Sequence, residues 1–334
     1  MGNSISAVNN SEQNQLIQDM LDKKAARKNL IETITPYFGL AFIFIFFSIV
    51  TKGKFLSPVN VENLINQSFG LVIIAIGAVF VYAHGGKDMS IGAASGCGQL
   101  VCALLLINGY PIWVALLCCI IVTIIAAGMT AGISVGIGVP VFIGSMCVRT
   151  SFNGILQYVT LKSGVIIDYQ KYAFMNSPAA KILILVIFLG LGYYLYNYTT
   201  FGKYNKMIGG NPITAEQAGV KNKKLIIMAF LFMGLCVGVS AIFSLFRMGK
   251  VTGTTGSGIE FNIMIAMALG GVPMAGGEKT KFISAIIGAI TIVFLTNGLQ
   301  VWGLDPGIIN GVKGLLFVAI IALSYDRSEG KLVS

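Results

Sequence analysis

Side chains that could carry out acid–base, nucleophilic or metal chemistry are few in this chain. Among 334 residues there are 13 aspartates and glutamates, one histidine and six cysteines. The cysteines lie in apolar segments without C-x-x-C spacing, which is typical of small packing residues rather than a zinc site or a disulfide framework. The nearest approach to a phosphate-binding loop, residues 271–280, lacks the G-K-[ST] spacing. We therefore predict no catalytic residue, metal or cofactor in this chain.

Neutral polar side chains inside apolar segments are the better candidates for function. They could bond weakly to the hydroxyl groups of a passing solute, although hydrogen bonding between helices is the alternative for each one. An uncharged lining favours an uncharged substrate. The candidate pathway residues are Ser90, Asn153, Asn262, Asn297 and Asn310.

Several charged residues lie within or beside the apolar segments, and four of them carry specific expectations. Arg149 either lines a pathway or bonds to carbonyl groups of neighbouring helices, and Lys313 is expected to extend toward an interface. Arg247 and Glu260 flank a glycine-rich stretch, and we hypothesise that they form an ion pair at the outer mouth.

The elements that must position these residues are membrane helices. The chain is 55% hydrophobic and 11% charged, whereas soluble domains are about a quarter charged. A helix needs about 20 mostly apolar residues to span a bilayer. We predict an all-α integral membrane protein with ten spans, near residues 35–50, 61–83, 88–107, 112–136, 139–161, 179–198, 225–246, 259–276, 281–298 and 306–324.

The distribution of charge predicts the orientation of these spans. The formal net charge is +10, and a cytoplasmic N-terminus places about twice as many lysines and arginines in inner loops as in outer ones. Both termini are then cytoplasmic. We predict an amphipathic surface segment over residues 1–33, a transmembrane domain over 34–324 and a tail over 325–334. The basic residues are scattered over loops, which argues against nucleic-acid binding.

One inner loop, residues 199–224, is unusually long and carries helix-capping signals. Asn211 is a good N-cap, Pro212 suits the first helical position and Gly219 suits the position just past the end. They predict a two-turn helix from Pro212 to Ala218. Ala215 and Ala218 are small and three residues apart, which suggests one face for close docking. Since so short a helix is unstable alone, we expect a partner or the membrane domain to hold it.

Glycine pairs recur along the chain. Residues 85–92 and 270–277 each contain Gly-Gly followed by a methionine, and so resemble a duplicated element, although chance similarity is an alternative. Gly92/Gly96, Gly132/Gly136 and Gly234/Gly238 have GxxxG spacing. We expect ordinary helix packing within one subunit there, with a dimer seam as the alternative.

The long loop resembles the coupling segment of ribose-type ABC importer permeases, in the branched-chain amino acid/ribose permease family. The pattern there is T-x-F-G-R-Y-x-x-A-I-G-G-N-x-x-A-A-x-x-x-G-I. It is matched by Thr200, Phe201, Gly202, Lys203, Tyr204, Ile208, Gly209, Gly210, Asn211, Ala215, Gly219 and Val220. Met207 and Thr214 stand where the family usually has alanine.

Other motifs of that family follow in the expected order. G-G-x-D-L-S-x-G is similar to residues 85–92, A-R-L to 246–248, G-T-G-x-E-L to 256–261 and L-G-G-x-x-x-x-G-G to 269–277. Glu278 and Lys279 depart from the usual small residue and glycine. The motif residues taken to be structural are Gly85, Gly86, Asp88, Gly270, Gly271, Arg247 and Glu260.

The resemblance implies a type II ABC importer-like permease in the bacterial plasma membrane. Such a subunit dimerises with a second copy or a paralogue, couples to cytoplasmic ABC ATPase subunits that bind ATP and Mg, and receives substrate from an extracytoplasmic sugar-binding protein. The implied substrate is a ribose-like monosaccharide. The residues implied in coupling are Gly209, Gly210, Asn211, Pro212, Ala215, Glu216, Ala218 and Gly219.

Two alternatives remain open from the sequence. Related permeases carry nucleosides, a signalling furanose or branched-chain amino acids. An ion-coupled secondary carrier is the alternative from another class, although the sequence places no carboxylate clearly at mid-membrane, where such carriers usually have one.

Overall fold

The computed structural model describes residues 34–161, 163–168 and 170–324. The predicted N-terminal amphipathic segment and the C-terminal tail lie outside these residues. The helices are α1 (Ile34–Val50), α2 (Pro58–Ala83), α3 (Ile91–Ile107), α4 (Ile112–Ile137), α5 (Val141–Val159), α6 (Pro178–Asn197), α7 (Thr200–Gly210), α8 (Pro212–Gln217), α9 (Asn222–Met248), α10 (Ile259–Leu269), α11 (Phe282–Val301) and α12 (Pro306–Ser324).

Five of these helices are long and apolar enough to cross a membrane, namely α2, α4, α6, α9 and α11. Helices α1, α3, α10 and α12 are shorter and apolar. With α5 they make ten helices at the ten predicted positions, and the all-helical prediction is confirmed. The described residues contain one small sheet, in which β1 (Val165–Ile166) pairs antiparallel with β2 (Lys250–Val251).

Helix α2 forms the centre of the bundle. Every residue from Leu71 to Ala83 is buried, as expected of a helix that is apolar on all sides. It packs against α9, α11, α6 and α10, and α9 also packs along α4. The side chain of Ser240 on α9 donates a hydrogen bond to the Gly70 carbonyl of α2 at 2.9 Å.

Helix α10 is shorter than predicted and ends at Leu269 instead of residue 276. Its backbone lies directly against that of α11. A Cβ atom at Gly270 would meet the Ser284 carbonyl, and one at Gly288 would meet the Ala266 carbonyl. Small residues allow this approach, and the chain then turns through Gly271, which has a positive φ of 75°.

The GxxxG pairs differ in what they contact. Gly234 and Gly238 place α9 against Ile124 and Ile120 of α4, as expected for packing within one subunit. A Cβ atom at Gly132 or Gly136 would meet no atom of the other described helices within 4 Å. The expectation of packing within the subunit is therefore wrong for this pair.

Candidate functional site

The predicted short helix is present as α8, and its caps form as the sequence indicates. The Asn211 side-chain oxygen accepts hydrogen bonds from the backbone N–H groups of Ile213 at 3.0 Å and Thr214 at 3.2 Å. Pro212 is the first helical residue and Gly219 has a φ of 83°. The helix ends at Gln217, one residue earlier than predicted, and Ala218 is its C-cap.

The two alanines of this helix do not share a docking face. Ala215 is 1% exposed and packs with Ile208 and Val220, whereas Ala218 is exposed. The prediction of a shared face from the three-residue spacing is wrong because Ala218 lies past the last helical residue. The face that a partner could reach contains Ile213, Glu216 and Gln217, and Ile213 is 67% exposed. Sequence reasoning missed Ile213.

Helix α7 joins α8 to the membrane helices. The sequence predicts the residues of α7 as part of the loop 199–224. A Cβ atom at Gly209 would meet the Ala83 carbonyl at the end of α2, and one at Gly202 would meet the backbone of Tyr196 on α6. These glycines therefore seat α7 on two membrane helices. The Gly-Gly pair of the coupling pattern was the signal for this contact.

Side chains strengthen the same junction. The Tyr196 hydroxyl donates to the Thr280 carbonyl at 2.9 Å, and the Lys206 ammonium lies 4.4 Å from the centre of the Tyr196 ring. Burial lowers the pKa of Lys206, and the nearby Glu278 carboxylate acts in the opposite direction. The unusual Glu278 thus lies beside the coupling segment.

The two glycine-rich segments that resemble one another in sequence meet in space. The Gly277 N–H donates to the Ala83 carbonyl at 2.8 Å. A Cβ atom at Gly85 would lie 2.9 Å from the Ala275 carbonyl, and one at Gly276 would lie 2.6 Å from the Gly85 nitrogen. Both segments and α7 therefore converge at the end of α2, where they contact one another.

Asp88 and Ser90 form a buried polar cluster just before α3. One Asp88 carboxylate oxygen accepts from the Ser90 N–H and from the Ser90 hydroxyl, both at 2.7 Å. The Ser90 hydroxyl also lies 3.2 Å from that of Thr130 on α4. Ser90, 1% exposed, therefore connects segments of the protein and does not line an open path.

Glu260 forms an ion pair with Arg149, and the hypothesis of an Arg247–Glu260 pair is wrong. The Arg149 Nη2 atom lies 2.7 Å from Glu260 Oε1. The Glu260 carboxylate points back toward α3, where a Cβ atom at Gly92 would collide with it. Arg247 lies in the last turn of α9 and lines a cavity instead.

The other predicted pathway residues have different environments. Asn297 exchanges two amide hydrogen bonds with Asn60, at 2.9 and 3.0 Å, and is buried as a link between helices. Asn153 is half-buried and Asn310 is exposed. Asn262 is the one that reaches a cavity, and its side-chain oxygen accepts from Lys313 Nζ at 3.1 Å.

That cavity has a volume of about 330 Å³. It lies between α2, α3, α6, α9, α10 and α11, near the end of α9 that is remote from α8. Its polar lining includes Asn66, Gln67, Ser244, Thr296 and Gln300, together with Lys181 and Arg247. Residues 34–161, 163–168 and 170–324 contain no group of three or more metal-ligating side chains.

Comparisons with known proteins agree with this architecture. The profile of the family described as branched-chain amino acid transport system / permease component matches residues 60–321. The ribose import permease protein of Bacillus subtilis (strain 168) is 28% identical over 309 residues, covering 90% of this chain and 94% of that protein.

Two further relatives are similar over most of their length. The D-allose transport system permease protein of Escherichia coli (strain K12) is 26% identical, covering 88% of this chain and 91% of that protein. The xylose transport system permease protein of Haemophilus influenzae is 26% identical, covering 88% and 95%. No solved structure gives a significant match.

Proposed function

This chain belongs to the branched-chain amino acid transport system / permease component family, and we propose that it is the membrane-spanning subunit of an ATP-driven importer of a monosaccharide. Its partners would be cytoplasmic ABC ATPase subunits that bind ATP and Mg, an extracytoplasmic sugar-binding protein and a second permease chain. The membrane would be the bacterial inner membrane, with both termini in the cytoplasm. The names of its ribose, allose and xylose relatives support a monosaccharide.

The observation that carries this proposal is the way α8 is presented. The Asn211 side chain caps the start of α8, and Ile213 on this helix is exposed. Helix α7 connects α8 to the end of α2. A partner that pulled on α8 would therefore move the two glycine-rich segments at the end of α2. ATP binding by that partner would supply the force.

The test is co-purification of the tagged chain, expressed with its genomic neighbours. We expect an ATPase subunit to be recovered with the wild type and lost with Ile213→Arg, because the arginine places a charge on the exposed docking face. The matched control is Ile166→Arg on β1, since Ile166 is 65% exposed and Ile213 is 67% exposed. The control should retain the ATPase.

An ion-coupled secondary carrier is the second candidate function. Asp88 and Glu260 are buried, and one oxygen of each, Oδ2 and Oε2, has no hydrogen-bond partner among the described residues. Buried carboxylates of this kind can bind protons in carriers. If no ATPase is recovered even with the wild type, and an ion gradient alone drives uptake in vesicles, this candidate replaces the importer.

A further inference from the structure

The cavity near the end of α9 contains two positive charges on adjacent helices. Lys181 belongs to the first turn of α6 and is 6% exposed, and Arg247 is half-buried in the last turn of α9. Both side chains line the cavity. The cavity therefore has a strongly positive wall.

No carboxylate of the described residues neutralises this wall by direct contact. The cavity lining contains no aspartate or glutamate, and no carboxylate oxygen in the described part of the chain lies within 4 Å of either cation. Glu62, which attracts Lys181, is exposed and outside the lining. An anion in the cavity would thus meet two cations that no carboxylate of the described residues contacts, in a setting where charges interact more strongly than in water.

The hydrogen-bonding capacity of the two cations is largely unused. An ammonium group has three donors and a guanidinium has five. Lys181 donates one hydrogen bond, to the Asn66 side-chain oxygen at 2.6 Å. Arg247 forms none with the described residues. Hydrogen bonds from such cations to a carboxylate are about twice as strong as those between neutral groups.

The rest of the lining suits a polyhydroxylated ligand. Gln67, Asn262, Thr296 and Gln300 supply neutral donors and acceptors. The volume of about 330 Å³ lies at the small end of ligand pockets, about 300–1,000 Å³, which favours a single sugar unit. Ile259 and Val293 add apolar wall.

We propose that this cavity binds an anionic monosaccharide, a sugar acid whose carboxylate lies between Lys181 and Arg247 and whose hydroxyl groups contact the amide side chains. The inference rests on the proposed importer function and specifies its substrate class. It replaces the expectation of an uncharged substrate, which depended on neutral candidates alone.

The two cations have different roles in this site. Arg247 matches the arginine of the A-R-L pattern, so its charge is shared with the family that this chain resembles. Lys181 belongs to none of the quoted patterns and adds the second charge. Lys181 is therefore the residue that makes the site select an acid over the corresponding neutral sugar.

The experiment measures sugar binding to the purified full-length chain in phosphatidylcholine nanodiscs by ligand-observed NMR. The probes are two matched pairs, D-galacturonate with D-galactose and D-ribonate with D-ribose. We expect the acid of at least one pair to bind about tenfold more tightly than its neutral partner. Lys181→Gln should remove this preference while neutral binding persists, and Arg247→Gln should weaken both ligands.

Two control variants distinguish an effect of the Lys181 charge from an effect on folding. Lys181→Arg keeps the charge and should retain the preference for the acid. Lys250→Gln removes an exposed lysine outside the cavity and should change nothing. The inference is overturned if neither pair shows a preference for the acid, or if Lys181→Gln retains the preference. It is also overturned if phosphatidylglycerol added to the discs displaces the acids, since the site would then hold a lipid headgroup.

Failure of this inference is distinguishable from failure of the proposed function. Lys181 and Arg247 lie near the end of the bundle remote from α8, because α9 has 27 residues and spans about 40 Å. Recovery of the ATPase should be unaffected by substitution of either residue. Loss of acid selectivity with the ATPase retained overturns the substrate class alone.

Discussion

Glu260 carries a buried charge, and its effect on the stability of the bundle depends on its ion-pair partner. Glu260 is 2% exposed, and Arg149 is its ion-pair partner. Phe261, beside Glu260, lies with its ring centre 5.7 Å from the Arg149 guanidinium. Arg149 is thus held by one charged and one aromatic neighbour, and the pair ties α5 to the start of α10.

We predict that Arg149→Met lowers the stability of the protein by about 3 kcal/mol, because removing one partner leaves a buried carboxylate uncompensated. The double variant Arg149→Met/Glu260→Gln should recover most of the loss. Thermal unfolding in detergent compares the two. Equal melting temperatures for the single and double variants would contradict the ion pair.

The sequence revealed the residues of this pair but not their pairing. The sequence suggests Arg247 as the partner because Arg247 and Glu260 flank one glycine-rich stretch, whereas Arg149 is 111 positions away from Glu260. Residues brought together by helix packing have no fixed spacing in sequence. Asn60 and Asn297, which bond across 237 positions, were hidden for the same reason.

Among the helices, the contact of α3 with the segment that precedes α10 depends on glycine. At Gly92 an added Cβ atom would meet the Glu260 carboxylate and the Gly256 carbonyl, and at Gly96 it would lie 2.5 Å from the Thr255 carbonyl. The segment before α10 can therefore lie on the backbone of α3. A larger side chain would push the two apart and displace Glu260 from Arg149.

We predict that Gly92→Ala destabilises the protein by about 3 kcal/mol, as expected for overpacking against backbone. The matched control is Gly190→Ala in α6, where nothing lies within 4 Å. Alanine is favoured over glycine in a helix by up to about 1 kcal/mol, so the control should be neutral or slightly stabilising. Unfolding both in the same detergent measures the difference, and equal effects would refute the close contact.

Local signals predicted some elements well and others poorly. The caps of α8 depend on neighbouring residues, so Asn211, Pro212 and Gly219 were sufficient to place the helix. The early end of α10 depends on its contact with α11, which the sequence does not display. Burial of Ala215 was missed for the same reason, since Ile208 and Val220 cover it only in the folded loop.

For the whole molecule, the number of apolar segments was predictable because a bilayer requires each one to be long and apolar. The cavity was not predictable, because six helices contribute to it and their neighbours in space follow from packing. The same holds for the junction of α7 with α2 and α6. Orientation in the membrane stays a prediction from the charge distribution.

We predict that Lys171 and Lys223 lie on opposite sides of the membrane. Both side chains are exposed, one beside the β1–β2 sheet and one at the start of α9. In a Cys147→Ser background, which removes the exposed native cysteine, a membrane-impermeant maleimide should label Lys171→Cys in intact cells. It should label Lys223→Cys only in inside-out vesicles, because the basic loop is expected in the cytoplasm.

The reverse labelling pattern would have a consequence beyond topology. Lys223 follows α8 by only a few residues, so both lie on the same side of the bilayer. If Lys223→Cys reacted from outside, α8 would face a compartment without an ATPase, and Ile213 could not be a docking residue. The cavity with Lys181 and Arg247 would then open to the cytoplasm, where no extracytoplasmic binding protein could deliver a sugar to it.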